Sequence, residues 1–520
     1  MAEESWHEAR LIPTSGINGP DEQERRATSA LLAVIGAVPE YGRSLLRDLG
    51  APTGRIETYI EVPFLLEERR LFPDGLIRIT RGSRVWVALV EVKTGKNELG
   101  LDQVTNYLDI ARENKFDAVI TISNEIPAAR GQHPLSVDKR RLRAVALHHL
   151  SWTDVLATAV VQKEFRGVSD PDQAWILGEL IRYLEHPRSG ALEFDDMGEE
   201  WTQVRDAIAA GTLRTGDKKI PEVCSRFDAL LRFVGLSLGR RLGSEVRPAL
   251  SRKEVANPEL RGASLAEQIT RHGILTGAIH IPGTVGDLCI DVDLRSNKIR
   301  CHCAIDAPRT GRPSTRVNWL LRQLSEAPDT TQVEGFVLHG RGSGAIELLG
   351  PLRSNPKGLG IDQGKDLRSF RVALSFPMGQ KRGRGRGAFI DSVAMAVDQF
   401  YEQVLQQLKA WSIPPPKLRQ EQDLVSLPSD LRSSLSSTAL SSQDEIDPTS
   451  GDERGLKEPP ESDEEPGADV PGAATGDHHP SESPVSYQGF SQHPEVGPPP
   501  QDRSQHGADS AAHSQDREDS

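Results

Sequence analysis

Two acidic residues and a lysine in the first third of the chain have the types and spacing that phosphodiester hydrolysis requires. Asp74 opens a short strand-like run, and Glu91 and Lys93 end a longer, nearly all apolar run as Glu91-Val92-Lys93. Strand alternation places Glu91 and Lys93 on one face, where they need partners because an unpaired buried charge is costly. The neighbouring hairpin strand brings Asp74 to the same edge. Two carboxylates can bind Mg²⁺ or Mn²⁺ through hard oxygen ligands, and the Val92 carbonyl is a further ligand candidate.

Three more side chains are predicted to surround this set. Gln103 and Tyr107 are four residues apart in the helix that follows, so they share a face and can be aimed across the site. Glu24 is a carboxylate on the packed stripe of the first helix, within reach of a metal centre. A bound metal would polarise a phosphate and lower the pKa of a water ligand. Lys93, a movable point charge, would orient or help deprotonate that water and neutralise developing charge.

Together these residues resemble the PD-(D/E)xK nuclease superfamily, with the Gln-x-x-x-Tyr motif similar to its RecB-like branch. The resemblance covers residues 20–125 and implies a restriction-endonuclease-like fold. It also implies that Asp74 and Glu91 bind the metal, that Lys93 is the catalytic lysine, that Gln103 and Tyr107 position the substrate or the lysine, and that Glu24 is a supplementary carboxylate.

A Glu-x-Lys triplet alone occurs by chance in many proteins. The resemblance is therefore supported chiefly by the order of the predicted helices and strands around the triplet. The alternative is a structural ion pair between Glu91 and Lys93 beside an ordinary helix face. Periodicity and turn residues predict one unit over residues 20–164. Its elements are a helix at 21–38, a short helix to 49, strands at 55–64, 75–80 and 85–92, a helix at 99–114, strands at 117–123 and 143–150, and a helix to 162. This order predicts an α/β fold with a mixed sheet flanked by helices.

Four further segments are predicted. Residues 1–19 form an N-terminal segment, and residues 165–189 form a helical connector. Residues 190–412 are expected to be an α+β domain of unknown role, with helices at 199–210, 222–242, 313–324 and 389–411 and strands at 288–294, 299–304, 335–339 and 370–376. Residues 413–520 are rich in Ser, Pro and acidic residues and cannot bury enough apolar surface to offset the entropy of ordering, so we expect a disordered tail. That tail either solubilises the chain, binds a partner or mimics DNA.

Charge is distributed unevenly along the chain, which has 62 Lys and Arg, 75 Asp and Glu, and a net charge of −13. Residues 421–520 contain 5 basic and 22 acidic residues, so the tail carries −17 and the preceding residues carry +4. The acidic total therefore does not argue against a polyanionic partner.

Two basic stretches that lead into helices are predicted to contact nucleic acid. Helix N-termini favour phosphate, and basic side chains release counterions from a nucleic-acid backbone. The residues concerned are Arg312, Arg316, Lys381, Arg382, Arg384 and Arg386. The alternative is that both stretches are flexible solvated loops.

Several classes of protein are disfavoured. The longest apolar run, near residues 30–38, is far shorter than the ~18 residues that a membrane span needs, and no apolar signal core follows the acidic start.

Four cysteines in 520 residues do not make a disulfide scaffold. Cys301-His302-Cys303 with Cys289 could ligate zinc, but strand alternation favours inward-facing, apolar cysteines. The adjacent histidines at 148–149 are expected to be structural or exposed. We therefore expect a cytoplasmic protein that does not contact a membrane.

The sequence thus predicts a Mg²⁺- or Mn²⁺-dependent deoxyribonuclease that works in repair, recombination or defence. A second hypothesis is a non-catalytic nucleic-acid-binding or regulatory adaptor on a nuclease-like fold. A third is a structural interaction protein whose motif residues lie apart in space. The substrate form is left open among duplex, single-stranded or damaged DNA and RNA. A protein partner would bind through the second domain or the tail.

Overall fold

A computed structural model describes residues 7–8, 22–186, 188–191, 194–340, 344–361 and 365–413. The chain divides into two units, Met1–Lys417 and Leu418–Ser520, and all of the described residues belong to the first. The predicted tail lies outside the described residues except for Ile413, and the predicted N-terminal segment lies outside them except for two residues.

The first sheet is built around an apolar central strand. Its six strands follow the order β1-β2-β5-β6-β7-β8. β2, β5 and β6 are antiparallel neighbours, whereas β6, β7 and β8 run parallel. A separate hairpin consists of β3 and β4. The strands are β1 (His7–Glu8), β2 (Arg55–Ile60), β3 (Phe64–Leu66), β4 (Arg69–Leu71), β5 (Gly75–Arg81), β6 (Arg84–Val92), β7 (Ala118–Ser123) and β8 (Ala146–Ser151).

Helices cover both faces of this sheet, which explains why β6 and β7 are apolar on both sides. α1 (Glu22–Ala37), α2 (Pro39–Leu46), α4 (Trp152–Val161) and α5 (Pro171–Glu185) pack on one face, and α3 (Leu101–Glu113) packs on the other. The predicted mixed sheet flanked by helices is confirmed.

α5 differs from its predicted role as a connector. Leu177, Leu180 and Leu184 on this helix are buried in the same core as α1 and α4. The helix begins where Asp170 caps the backbone N–H groups of the next turn, with Pro171 in first position. The chain therefore has no free linker over 171–185, because that segment completes the first core.

The second sheet is antiparallel throughout, with the order β14-β13-β15-β12-β11-β10-β9. Together with its helices this is the expected α+β arrangement. Its strands are β9 (Arg247–Pro248), β10 (Ile274–His280), β11 (Leu288–Asp293), β12 (Lys298–Asp306), β13 (Gln332–Val337), β14 (Ala345–Leu348) and β15 (Leu367–Pro377). Its helices are α6 (Glu200–Ala209), α7 (Ile220–Leu242), α8 (Arg252–Ala256), α9 (Pro258–His272), α10 (Pro313–Gln323), α11 (Leu349–Ser354) and α12 (Phe389–Gln403).

Several of these elements escaped prediction, namely β9, β10, β14, α8, α9 and α11, and α12 ends at Gln403 rather than at 411. β10 carries Gly277 in its middle, which weakens a strand pattern. The structure explains this glycine, since a Cβ there would lie 2.2 Å from Leu231 Cδ1 on α7. α7 therefore packs directly against the backbone of β10.

One buried ion pair joins the helices of the two sheets. Arg232 on α7 donates to both carboxylate oxygens of Asp154 on α4, at 2.8 and 2.9 Å, and to the Pro127 carbonyl at 3.1 Å. Both side chains are almost inaccessible to solvent.

Among the described residues, no helix is long and apolar enough to cross a membrane.

Candidate active site

The candidate site lies at the edge of the first sheet where β6 ends and β5 begins. Because β5 runs antiparallel to β6, with Gly75 opposite Val90, the preceding Asp74 lies beside the end of β6. The Val92 N–H donates a hydrogen bond to Asp74 Oδ2 at 2.8 Å. Gly75 allows α1 to pack against this edge, since a Cβ there would lie 2.3 Å from Leu32 Cδ1. The Pro-Asp-Gly turn therefore fixes the carboxylate next to the Glu-x-Lys motif.

The ammonium group of Lys93 lies among three of the predicted metal ligands. Its Nζ is 2.5 Å from Glu91 Oε1 and donates to Glu24 Oε1 at 3.0 Å and to the Val92 carbonyl at 3.2 Å. Glu24 is in the first turn of α1 and also accepts a hydrogen bond from Asn97 Nδ2 at 3.4 Å. The structure thus brings residues from a helix and the end of β6 around one positive charge.

The carboxyl groups of Glu24, Asp74 and Glu91 outnumber the single positive charge of Lys93, and burial makes their ionisation costly. Burial raises the pKa of Glu91 to about 8, with the neighbouring Asp74 adding to the shift and Lys93 opposing it. Burial likewise raises the pKa of Asp74 to about 6, against the hydrogen bond from Val92. Burial alone would lower the pKa of Lys93, but Glu91, Asp74 and Glu24 raise it overall. Lys93 is therefore protonated at neutral pH, and burial opposes the ionisation of both Glu91 and Asp74.

The donor set fits a hard divalent cation in one specific respect. Both side-chain oxygens of Glu91 are buried; Oε1 is 2.5 Å from the Lys93 ammonium, and no described residue donates a hydrogen bond to Oε2. Carboxylate oxygens in this state are suitable ligands for Mg²⁺. No group of three or more His, Cys, Asp or Glu side chains in the described ranges is arranged to hold a metal. The predicted ligands Glu24, Asp74 and Glu91 therefore do not form such a group in this structure, in which the Lys93 ammonium contacts both Glu24 and Glu91.

The motif residues on α3 pair with each other. Gln103 Nε2 donates to the Tyr107 hydroxyl at 3.1 Å, and that hydroxyl donates to the Phe72 carbonyl at 3.4 Å. Burial raises the pKa of Tyr107, and the negative charge of Glu91 adds to the shift. Gln103 therefore orients Tyr107, and Tyr107 ties α3 to the loop that carries Asp74.

Two features of the site were missed by sequence reasoning. The indole Nε1 of Trp152, at the start of α4, donates to the Lys93 carbonyl at 2.8 Å. In the β6–β7 register Thr121 lies opposite Glu91, and its hydroxyl bonds His149 Nδ1 at 2.8 Å and His133 Nε2 at 2.9 Å. Burial lowers the pKa of both histidines to about 4, so they are neutral at pH 7. Thr121 and His149 lie far apart in the sequence, and only the parallel register of β7 and β8 brings them together.

Arg316 is a correction to the predicted nucleic-acid contacts. Its guanidinium is buried and donates to the carbonyls of Gly311 and Leu367 at 3.0 and 2.7 Å, and it lies 3.2 Å from an oxygen of Asp366. These bonds hold α10 against β15, so the side chain is not free to bind phosphate.

The other predicted contacts are exposed, but they differ in whether an acidic side chain pairs with them. Arg382 is 3.4 Å from a carboxylate oxygen of Asp196, and Arg384 is 2.6 Å from one of Asp391. Local acids therefore neutralise part of this basic loop. Arg312, Lys381 and Arg386 are exposed and remain the surface cations of the predicted set.

The cysteine cluster is divided by the second sheet. Cys301 and Cys303 on β12 are buried in the core, and burial raises the pKa of Cys303 to about 12. His302 alternates to the opposite face, where it lies 3.2 Å from Asp291. The three residues therefore do not converge on one point.

Comparisons of the chain with family models, with curated proteins and with solved structures find no match.

Proposed function

We propose that this protein is a Mg²⁺- or Mn²⁺-dependent nuclease, on a PD-(D/E)xK-like fold of the RecB-like branch, with DNA as its expected substrate. The observation that carries the proposal is Glu91. It is a buried carboxylate beside Asp74 whose Oε1 contacts the Lys93 ammonium, while no described residue donates a hydrogen bond to Oε2. Such a group is costly in a purely structural role. The mixed sheet and the element order around the motif lend further support.

The residues at the sheet edge have separable roles in this proposal. Asp74, Glu91 and the Val92 carbonyl would hold the ion, with Glu24 as a supplementary ligand. A bound ion supplies Lewis acidity toward phosphate and lowers the pKa of a coordinated water. Lys93 carries the positive charge that offsets charge developing on the phosphate. Because the surrounding carboxylates raise its pKa, Lys93 orients water and stabilises charge rather than acting as a base.

The test is cleavage of labelled DNA by the purified full chain with Mg²⁺ or Mn²⁺. Glu91→Gln should lower the cleavage rate by about 100-fold or more, because it replaces an anionic oxygen ligand of the metal with a neutral amide. Glu113→Gln is the matched control, since Glu113 is exposed on α3, and it should cut like the parent. Mg²⁺ should also raise the melting temperature of the parent and not that of Glu91→Gln, which reports metal binding independently of activity. Equal cleavage by both variants would reject the site.

One observation favours a second candidate function. Lys93 already bonds Glu24 and the Val92 carbonyl and contacts Glu91, so its ammonium can balance the site without a metal. This arrangement suits a nucleic-acid-binding adaptor that does not cleave. The adaptor would bind DNA tightly, show no cleavage with either ion, and keep its melting temperature when Mg²⁺ is added.

A further inference from the structure

The β3–β4 hairpin beside the candidate site has an apolar surface on its outer face. Its inner side chains, Phe64, Leu66 and Leu71, pack against the core beneath α3. Its outer face carries Leu65, which is 66% exposed, and leads to Phe72, which is 52% exposed. A hairpin whose inner face is already packed has no structural need for large apolar residues outside, so this exposed pair indicates a binding surface.

Arg70 completes this outer face. It lies opposite Leu65 in the hairpin register, and its guanidinium carbon is 5.7 Å from the centroid of the Phe72 ring. Leu65, Arg70 and Phe72 thus form one continuous surface, which we call the hairpin ridge. It combines a cation, which can contact the backbone of a single-stranded nucleic acid, with an exposed aromatic ring, on which a base can stack.

The ridge is tied to the candidate site by the backbone. The Phe72 carbonyl accepts the hydrogen bond from Tyr107, and Pro73 alone separates Phe72 from Asp74. Pro73 is buried and has a restricted φ angle, so the backbone that joins Phe72 to Asp74 is held in place. A nucleotide bound on the ring would place its phosphodiester near Asp74 and Glu91.

We propose that the hairpin ridge binds unpaired nucleobases, and that the substrate of this site is therefore single-stranded or locally unpaired nucleic acid. This inference rests on the proposed nuclease function. Phe72 stacks on a base face, Leu65 extends the apolar surface, and Arg70 contacts the adjoining phosphate. Inside a duplex both faces of every base are covered by neighbouring bases, so a duplex offers the ring a base face only at an end or a gap.

The experiment measures binding without cleavage, by fluorescence anisotropy of the full chain with a labelled single strand and its blunt duplex in chelator. The parent should bind the single strand more tightly. Phe72→Ala should weaken that binding by about 10-fold, the range expected for loss of one stacked base, and Phe72→Trp should restore it. Arg70→Gln should weaken binding and reduce its salt dependence.

Trp175→Ala is the matched control, because Trp175 is 62% exposed on α5 and lies outside the ridge; it should bind like the parent. Equal affinity of the parent for both DNA forms, parent-like binding by Phe72→Ala, or no DNA binding at all would overturn the proposal. A parent that binds single strands through Phe72 but never cleaves would reject the nuclease and retain the ridge. A parent that cleaves, with Phe72→Ala cleaving and binding equally well, would retain the nuclease and reject the ridge.

Discussion

Glu91 is the candidate-site residue with the most unusual electrostatic environment. Its side chain is 1% exposed and 2.5 Å from the Lys93 ammonium, yet burial and Asp74 still raise its pKa. Attraction to a lysine by itself would lower the pKa of the acid, because the lysine favours the charged form. In this fold burial and the charge of Asp74 outweigh the attraction of Lys93. Ionisation of Glu91 therefore destabilises the metal-free protein.

This imbalance predicts how pH changes stability in metal-free buffer. A carboxyl whose pKa is raised on folding adds its full stability below its usual pKa of 4.5, and that stability is lost as the pH rises through about 8. Glu91→Gln cannot ionise. The free energy of unfolding of the variant relative to the parent should therefore increase as pH rises over that range, by on the order of 1–3 kcal/mol.

Urea denaturation across the pH range is the measurement. Glu113→Gln, with its side chain in solvent, should show a difference from the parent that hardly changes with pH. If the relative stability of Glu91→Gln instead fell as pH rose, attraction to Lys93 would outweigh the burial of Glu91.

At the scale of elements, the start of α4 holds the end of β6. Ser151 and Asp154 form a capping box at that helix start, so the position of the next residue, Trp152, is well defined. Its indole N–H reaches the Lys93 carbonyl. α4 thus holds the backbone of Lys93 in place and does so from the face of the sheet opposite α3.

Trp152→Phe should separate this tether from packing, because the ring stays apolar and only the N–H donor is lost. We expect about 1–2 kcal/mol less unfolding free energy and a kcat lowered by about 10-fold, since small misplacements of a catalytic group are costly, with KM little changed. Trp201→Phe is the control in the second core, where Trp201 is fully buried. It should lose stability and keep its kcat. Equal effects of both variants on kcat would show that Trp152 acts through stability alone.

At the scale of the whole first unit, Arg232 and Asp154 couple the two sheets. Burial would raise the pKa of Asp154, but Arg232 and Ser151 hold it below its usual range. The carboxylate is therefore ionised in the fold and depends on α7 for its partner. Because the same carboxylate caps α4, the second sheet supports the helix that anchors the candidate site.

Arg232→Met should cost about 3–5 kcal/mol of unfolding free energy, because it leaves a buried carboxylate without its partner. Adding Asp154→Asn should recover part of that loss, since no buried charge remains. Arg241→Met is the control on the same helix, as Arg241 pairs with Asp398 at the surface, and it should cost less than about 1 kcal/mol. Denaturation of the four chains is the test, and a small effect of Arg232→Met would show that the two sheets are not coupled through this pair.

The sequence by itself determined what depends on near neighbours. Strand alternation predicted the shared face of Glu91 and Lys93, and helical spacing predicted that Gln103 and Tyr107 meet, because both patterns follow from local backbone geometry. The apolar run before Glu91 identified a central strand for the same reason. The order of elements was enough to predict a mixed sheet flanked by helices.

Only the tertiary structure decided which distant residues meet. Glu24 contacts Lys93 from 69 positions away, Thr121 lies opposite Glu91 through a parallel register, and Arg316 is buried by carbonyls of a loop and a strand. The sequence predicted that α5 is a connector, but this helix is part of the core of the first sheet. These outcomes depend on side-chain packing and strand register across long separations, which weak local propensities do not specify. The local pattern therefore predicted the chemical groups of the site, and the packing of α1, α3 and α4 decided how those groups are held.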